Sequence, residues 1–279
     1  MTKILFPTDF SEAAKKAFLY ALELTERLNA QLTVFHVYEL PELGRSMKTT
    51  TQEVYELMEL ETFENFKKSV KQLHDFAGEH GYEKVNFNQL MAEGETVHTI
   101  TRMAEKEQVD YIIMGTKGAT GLKEVLLGSV ASGVIDNAHC PVISIPQNSS
   151  PHKNLNRIAY LTNYKDEELA AFVEIKEFAG IFDASMYCIH FENEIKDISS
   201  EQMKEWKNKL GDSANHVRFE VISGDDFEKA LTDFYVNEKI DLIGIQPRKR
   251  NFFEKIFSKS VSKKLAHHIE IPLYTVPAK

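Results

Sequence analysis

Gly115, Gly118 and Gly128, with Ser129 directly after the last, are separated by two and by nine residues. Glycine lets the backbone approach a ligand closely and turn its N–H groups inward. A helix beginning at the end of such a loop adds N–H donors without intrahelical acceptors and the positive end of a dipole. The chemistry this suits is binding of an anion, phosphate above all. The same glycines, Gly121 included, could instead only make turns and let a helix pack closely on a strand. The loop contains neither G-x-x-x-x-G-K-[ST] nor G-x-G-x-x-G. Asp9 is a second candidate. It could accept a hydrogen bond from a sugar hydroxyl or hold a metal-bound water, or it could simply cap a helix. A third is the basic run Arg248, Lys249, Arg250, Lys255, Lys259, Lys263 and Lys264, interleaved with Phe252, Phe253 and Phe257. It reads as a solvated cationic helix with an apolar underside, or as an anion or partner site. His267 and His268 point in different directions on a helix. No third ligand accompanies them, so no metal site is assigned. No residue is assigned a catalytic role.

The elements that must hold these residues alternate between strand and helix. Tyr111 to Met114 has the pattern of a strand buried on both faces. Val130 to Ala138 is helical, with Ser129 as its N-cap and Pro141 as its stop, and Val142 to Ile145 is again a buried strand. At the other end, Lys3 to Phe6 is a strand that leaves through Pro7, Thr8 and Asp9. An amphipathic helix carrying Ala14, Phe18, Ala21, Leu22 and Leu28 follows, then a strand from Leu32 to Val37. Strand, helix, strand at this spacing is a parallel unit. In an open α/β sheet, ligands bind at such strand exits where the strand order reverses. Leu40 to Thr51 is turn-like and Thr51 to His80 is a long helix, whose Met58, Phe63 and Phe66 read as core or interface. Lys84 to Met91 alternates like a strand, Gly94-Glu95 turns the chain, and Val97 to Lys106 is another amphipathic helix. Five strands and four helices are complete by Pro146.

At 279 residues the chain has room for two domains. Its hydrophobic content of 43% and charged content of 27% are those of a soluble globular protein. The formal net charge of -9 argues against a general nucleic-acid binder. The two cysteines, Cys140 and Cys188, give no disulfide framework and suit a reducing cytoplasm. No run is long enough to span a bilayer, and no signal peptide is read. A polar stretch, QNSSPHKN, supplies a linker at residues 148–154 between a first domain at 1–147 and a second at 155–279. The pattern then repeats. Arg157 to Leu161 matches the first strand, and Thr162-Asn163 falls at Thr8-Asp9. Ser185 to Phe191 matches the second strand, with His190 at His36. Gly224-Asp225 matches Gly94-Glu95, Asp241 to Ile245 matches Asp110 to Met114, and Ile271-Pro272 matches Cys140-Pro141.

Taken in order, ILFPTDFSEAA, LTVFHV and the glycine stretch resemble the ATP-binding branch of the universal stress protein family, from Met1 to about Gln147. The resemblance implies two tandem open parallel five-stranded sheets with helices on both faces, of the Rossmann-like, adenine nucleotide alpha hydrolase-like type. It also implies that the halves pair through their last strands, Val142 to Ile145 with Leu273 to Val276, as a pseudo-dimer. Association of two chains as a homodimer stays open. Carried over by position, Pro7, Thr8 and Asp9 line the adenosine side, and Val37 meets adenine through its backbone. Met114 and Gly115 lie under the nucleotide, while Lys117, Gly118, Gly128, Ser129 and Val130 surround the phosphates. The ligand is ATP, or ADP or AMP, and Mg²⁺ comes only with the phosphates, since no carboxylate cage is visible. In the second half Asn163 stands for Asp9, and Gln246, Lys249 and Lys259 stand for Gly115, Gly118 and Gly128; only Ser260 keeps its match, to Ser129. That half is therefore expected not to bind ATP in the family manner. The function implied is that of an ATP-binding regulatory or stress-response protein acting on an unidentified protein partner. A slow ATPase or nucleotide-dependent enzyme, and an adaptor that binds no nucleotide, are the alternatives.

Overall fold

The computed structural model describes residues 1–40, 51–116, 128–149, 154–192, 197–246 and 271–278. The first half runs β1 (Lys3–Pro7), α1 (Glu12–Leu28), β2 (Gln31–Tyr38), α2 (Thr51–Glu79), β3 (Phe87–Glu93), α3 (Thr96–Glu107), β4 (Tyr111–Gly115), α4 (Ser129–Asn137) and β5 (Val142–Ile145). The second runs β6 (Arg157–Leu161), α5 (Leu169–Ile181), β7 (Ser185–Glu192), α6 (Asp197–Leu210), β8 (Val217–Ser223), α7 (Phe227–Asn237), β9 (Leu242–Ile245) and β10 (Leu273–Thr275).

The two expected sheets are one. All ten strands hydrogen-bond in the order β3-β2-β1-β4-β5-β10-β9-β6-β7-β8. Every pairing is parallel except the seam, where β5 and β10 run antiparallel with Val142 opposite Thr275 and Ser144 opposite Leu273. A bare edge strand is a template for pairing, and here each half supplies the other's missing neighbour. Within each half the order reverses beside the first strand. β1 lies between β2 and β4, and β6 lies between β7 and β9. These are the topological switch points at which open α/β sheets take ligands.

The helices cover both faces. On one face a single core crosses the seam, joining Phe6, Phe18 and Ile143 of the first half with Tyr160, Phe172, Trp206 and Tyr274 of the second. On the other face each half has its own core. Leu5, Phe35, Ile100, Met114 and Val134 form one, and Ala159, Ile189, Leu231 and Ile243 form the other.

Three local expectations need correction. β3 starts at Phe87 and not Lys84, because Tyr82 and Val85 are taken up by turns closing on the end of α2, where the Val85 N–H donates to the Tyr82 carbonyl. Gly128, and not Ser129, is the N-cap of α4; Ser129 is the first helical residue. The Gly128 N–H is tied to the Thr116 carbonyl at 2.6 Å, and its own carbonyl starts the helix by accepting from Ser132. α4 also ends before Pro141 acts, since Ala138 is already extended and the Asn137 amide has folded back onto the Gly133 carbonyl. The turn at 41–50, most of the linker and the basic run lie outside the described residues. Among the described residues, no helix is long and apolar enough to cross a membrane.

Candidate functional site

At the first switch point the strand ends open into a cleft of about 310 Å³. Its floor begins where β1 stops. The Thr8 N–H still pairs with the Phe35 carbonyl, prolonging the ladder by one bond. The chain then turns sharply, with Phe10 in the left-handed region at φ 61°. Two short bonds hold the turn: the Thr8 hydroxyl accepts the Phe10 N–H at 2.9 Å, and the Asp9 carboxylate accepts the Ser11 N–H at 3.0 Å. Ser11 is the N-cap of α1, accepting from Ala14. Asp9 therefore braces the loop and is not the helix cap, and it lines the cleft.

Alternation along β2 sends neighbouring side chains to opposite faces. Val37 lines the cleft together with Phe35. His36 faces the other way, packed between Phe10 and Phe66. Its Nδ1 lies 2.8 Å from the Thr8 carbonyl. A carbonyl can only accept, so Nδ1 carries the proton and the ring steadies the loop from behind.

The far wall is built from the end of β4 and the start of α4: Met114, Gly115 and Thr116, then Gly128, Ser129, Val130 and Ala131. The first turn of α4 directs helix N–H groups at this space. Thr96 and Ile100 of α3 and Ala14 of α1 close the sides. α3 is placed by Glu95, whose carboxylate caps it by accepting from Val97 and His98. The His98 N–H, with that of Val97, holds the Glu95 carboxyl below its ordinary range. Gly94 before it has φ 145°, and a Cβ there would meet the Thr99 hydroxyl at 2.6 Å, so the turn requires glycine.

The Thr116 hydroxyl is the unusual feature of the wall. It is buried, on a residue that lines the cleft, and its oxygen has no hydrogen-bond partner among the described residues. Buried hydroxyls are ordinarily satisfied. A ligand with a donor or acceptor in the cleft would satisfy this one. Cys140, at the opposite end of β4 and β5 beside Asp110, offers no nucleophile at neutral pH, because burial pushes its thiol up to about 12.

Of the eleven residues named from the sequence, nine are gathered around this cleft: Pro7, Thr8, Asp9, Val37, Met114, Gly115, Gly128, Ser129 and Val130. Lys117 and Gly118 lie outside the described residues, as does Gly121. Ala14, Phe35, Thr96, Ile100, Thr116 and Ala131 also line the cleft and were not named. Thr116 had a signal, since it stands two residues after Met114, directly past the end of β4. The others are residue types that any core contains.

The second half repeats three features of this scaffold. The Thr162 N–H pairs with the Ile189 carbonyl at 2.9 Å, Tyr164 takes the left-handed turn at φ 56°, and His190 Nδ1 lies 2.8 Å from the Thr162 carbonyl. Asn163 replaces Asp9, and Gln246 follows β9 where Gly115 ended β4. Lys249, Lys259, Ser260, His267 and His268 lie outside the described residues. So does the rest of the basic run from Arg248 to Lys264. Among the described residues there is no group of histidine, cysteine and carboxylate side chains able to hold a metal ion.

Comparison with known proteins agrees with this architecture. Residues 1–146 match the family model described as the universal stress protein family. Universal stress protein MJ0531 of Methanocaldococcus jannaschii is 35% identical over 144 residues, covering 51% of this chain and 81% of that protein. Universal stress protein MJ0577 of the same organism is 30% identical over 164 residues, covering 53% of this chain and 96% of its own. Each of these relatives thus corresponds to about half of the present chain. The crystal structure of a universal stress protein from Archaeoglobus fulgidus aligns with 99% of this chain and 98% of its own at a TM-score of 0.70 and 19% identity, a likeness of fold across both halves.

Proposed function

The chain belongs to the universal stress protein family, and from that premise we propose that it is a stress-response protein that binds one adenine nucleotide in the cleft of its first half. The observation that carries the reading is the convergence of the Gly115, Gly128 and Ser129 backbone, the α4 N-terminus and the buried, unpartnered Thr116 hydroxyl on one cleft at a switch point. In this reading Asp9 takes the ribose, Val37 meets the adenine through its backbone, and the α4 start with Lys117 and Gly118 takes the phosphates. ATP is the ligand in view, with ADP and AMP as its competitors. Mg²⁺ binds only together with the phosphates, because the described residues offer it no carboxylate cage. Nucleotide in the cleft bridges β1, β4, α3 and α4, so its arrival changes how those elements are held and what they present to a protein partner. The second half, with Asn163 and Gln246 at the matching positions, binds no nucleotide. The first half serves as the nucleotide-binding domain and the second as its fused companion, joined near residues 148–154.

The test is to denature purified protein and to identify and count the released nucleotide by mass spectrometry and absorbance. One adenine nucleotide per chain is expected, and Gly118→Val is expected to lose it while keeping the far-UV spectrum. Two per chain would overturn the reading of the second half. None, together with no binding of added ATP, would overturn the proposal and favour an adaptor.

A further inference from the structure

Around the first strand exit the two halves share their turn and its hydrogen bonds at matching positions, which makes one difference informative. Counting from Thr8 and Thr162, the partner of Ala14 is Glu168. Ala14 lines the cleft of the first half. Glu168 is buried, with 3% of its surface exposed. Its Oε2 accepts from the Thr162 hydroxyl at 2.7 Å, the Asn163 N–H at 2.9 Å and the Lys165 N–H at 3.1 Å. Two of those donors belong to the counterparts of Thr8 and Asp9, the residues that floor the open cleft; the third, Lys165, is the counterpart of Ser11, whose N–H the Asp9 carboxylate holds in the first half. The Thr162 hydroxyl meanwhile accepts from Tyr164 at 2.9 Å, as Thr8 does from Phe10. What differs is that in the second half its proton is given to a carboxylate of the same chain. Trp206 locks the loop from beneath by donating to the Lys165 carbonyl at 3.1 Å.

The charge has moved with the side chain. The first exit carries one of these two acids, Asp9, on the loop, with the small Ala14 on the helix. The second carries Asn163 on the loop and Glu168 on the helix. Two carboxylates so close would repel, so the loss of charge at Asn163 is the counterpart of its gain at Glu168. A buried carboxylate is tolerated when charge-assisted hydrogen bonds surround it, and these donors supply them.

We propose that the second half is a self-liganded copy of the site, in which the Glu168 carboxylate takes over the loop brace that Asp9 provides in the first half and reaches from the position of Ala14 into the space that the first half leaves open for its ligand. The comparison rests on the reading of the first cleft as a nucleotide site. It goes beyond that reading in saying what fills the second. The second half is thereby held in an occupied arrangement at all times, while the first alternates between empty and filled.

Two experiments separate this inference from the reading beneath it. Glu168→Ala removes the internal ligand and leaves its three donors facing a cavity. The variant is expected to unfold at a lower temperature than the parent chain, and sodium formate, compared with chloride at equal ionic strength, is expected to restore part of that shift in the variant alone. A variant as stable as the parent, or one that formate does not rescue, would overturn the proposal whether or not the first half binds nucleotide. Conversely, Ala14→Glu introduced with Asp9→Asn transplants the plug. It is locally compatible because Ser11, two residues and glutamate form a capping box. Against Asp9→Asn alone, the double variant should fold and bind ATP at least tenfold more weakly. Equal affinity in the two would show that position 14 does not reach the ligand's space. A parent chain that binds no nucleotide would sink the reading of the first cleft and leave the formate result to decide this one.

Discussion

Thr116 holds a hydroxyl where valine would fill the same volume. Left without a partner, a buried hydroxyl costs on the order of 1–3 kcal/mol. Thr116→Val should therefore leave the nucleotide-free protein as stable as before or more so. It should weaken ATP binding about fivefold to tenfold, the worth of one hydrogen bond, and Thr116→Ser should restore it. Calorimetric titration with ATP and with adenosine checks this, and an effect confined to ATP assigns the contact to the phosphates. A loss of stability in the free protein would mean that the hydroxyl already has a partner. At this scale the sequence was legible where the backbone itself makes the demand. Gly115 and Gly128 stand out because their spacing, after a strand and before a helix, marks a loop suited to close backbone approach, and Asp9 because it follows a strand directly into a turn. Ala14, Ile100 and Ala131 were not legible, because small and apolar residues on helices look alike whether they face a core or a cleft. Glu168 was hidden for a different reason: acidic residues in a first helical turn are common, and only its burial sets it apart.

The cleft depends on α3 and α4 lying close together, and Gly133 permits it. A Cβ at Gly133 would meet the Val97 side chain at 2.8 Å and 3.1 Å. Valine is stiff about its first torsion in a helix, so the helices themselves must shift. Gly133→Ala gains about 1 kcal/mol of helix propensity but incurs about 1–3 kcal/mol of overpacking. A net loss of about 1 kcal/mol by urea denaturation is expected, together with weaker ATP binding, because α4 carries Ser129 and Val130 away from the wall. A variant more stable than the parent, with unchanged affinity, would show that the helices have slack. Long periodic elements were legible to within a residue or two, among them α2 (Thr51–Glu79) and β6 (Arg157–Leu161). The errors fell at ends governed by hydrogen bonds that periodicity does not encode: the Gly128 tether to Thr116 and the turns at Tyr82 and Val85.

For the molecule as a whole, the pairing of β5 with β10, which joins the two sheets into one, was expected from the resemblance and not from the strands themselves. Alternation and burial describe each half alone, and nothing in a strand's own sequence says that its neighbour lies 129 residues away. Tyr274 is fully buried at the seam, against Phe178 at 4.8 Å and Tyr111 at 6.3 Å. Truncating an aromatic side chain in such a place costs about 3–5 kcal/mol. Tyr274→Ala should therefore lower stability by roughly that amount and leave ATP affinity close to the parent value, since the cleft draws on the separate core of the opposite face. Stability and titration measured on the same sample check both halves of the statement; a large loss of affinity would mean that the two faces are coupled. The seam also has a consequence in time. During synthesis β5 emerges with its outer edge bare and waits for β10, more than a hundred residues later. At about 5–20 residues per second, the wait is on the order of ten seconds. For that interval a nascent first half can pair edge to edge with the first half of a neighbouring chain on the same message. Ribosome spacing, as much as the sequence, decides whether the sheet closes within one chain or between two.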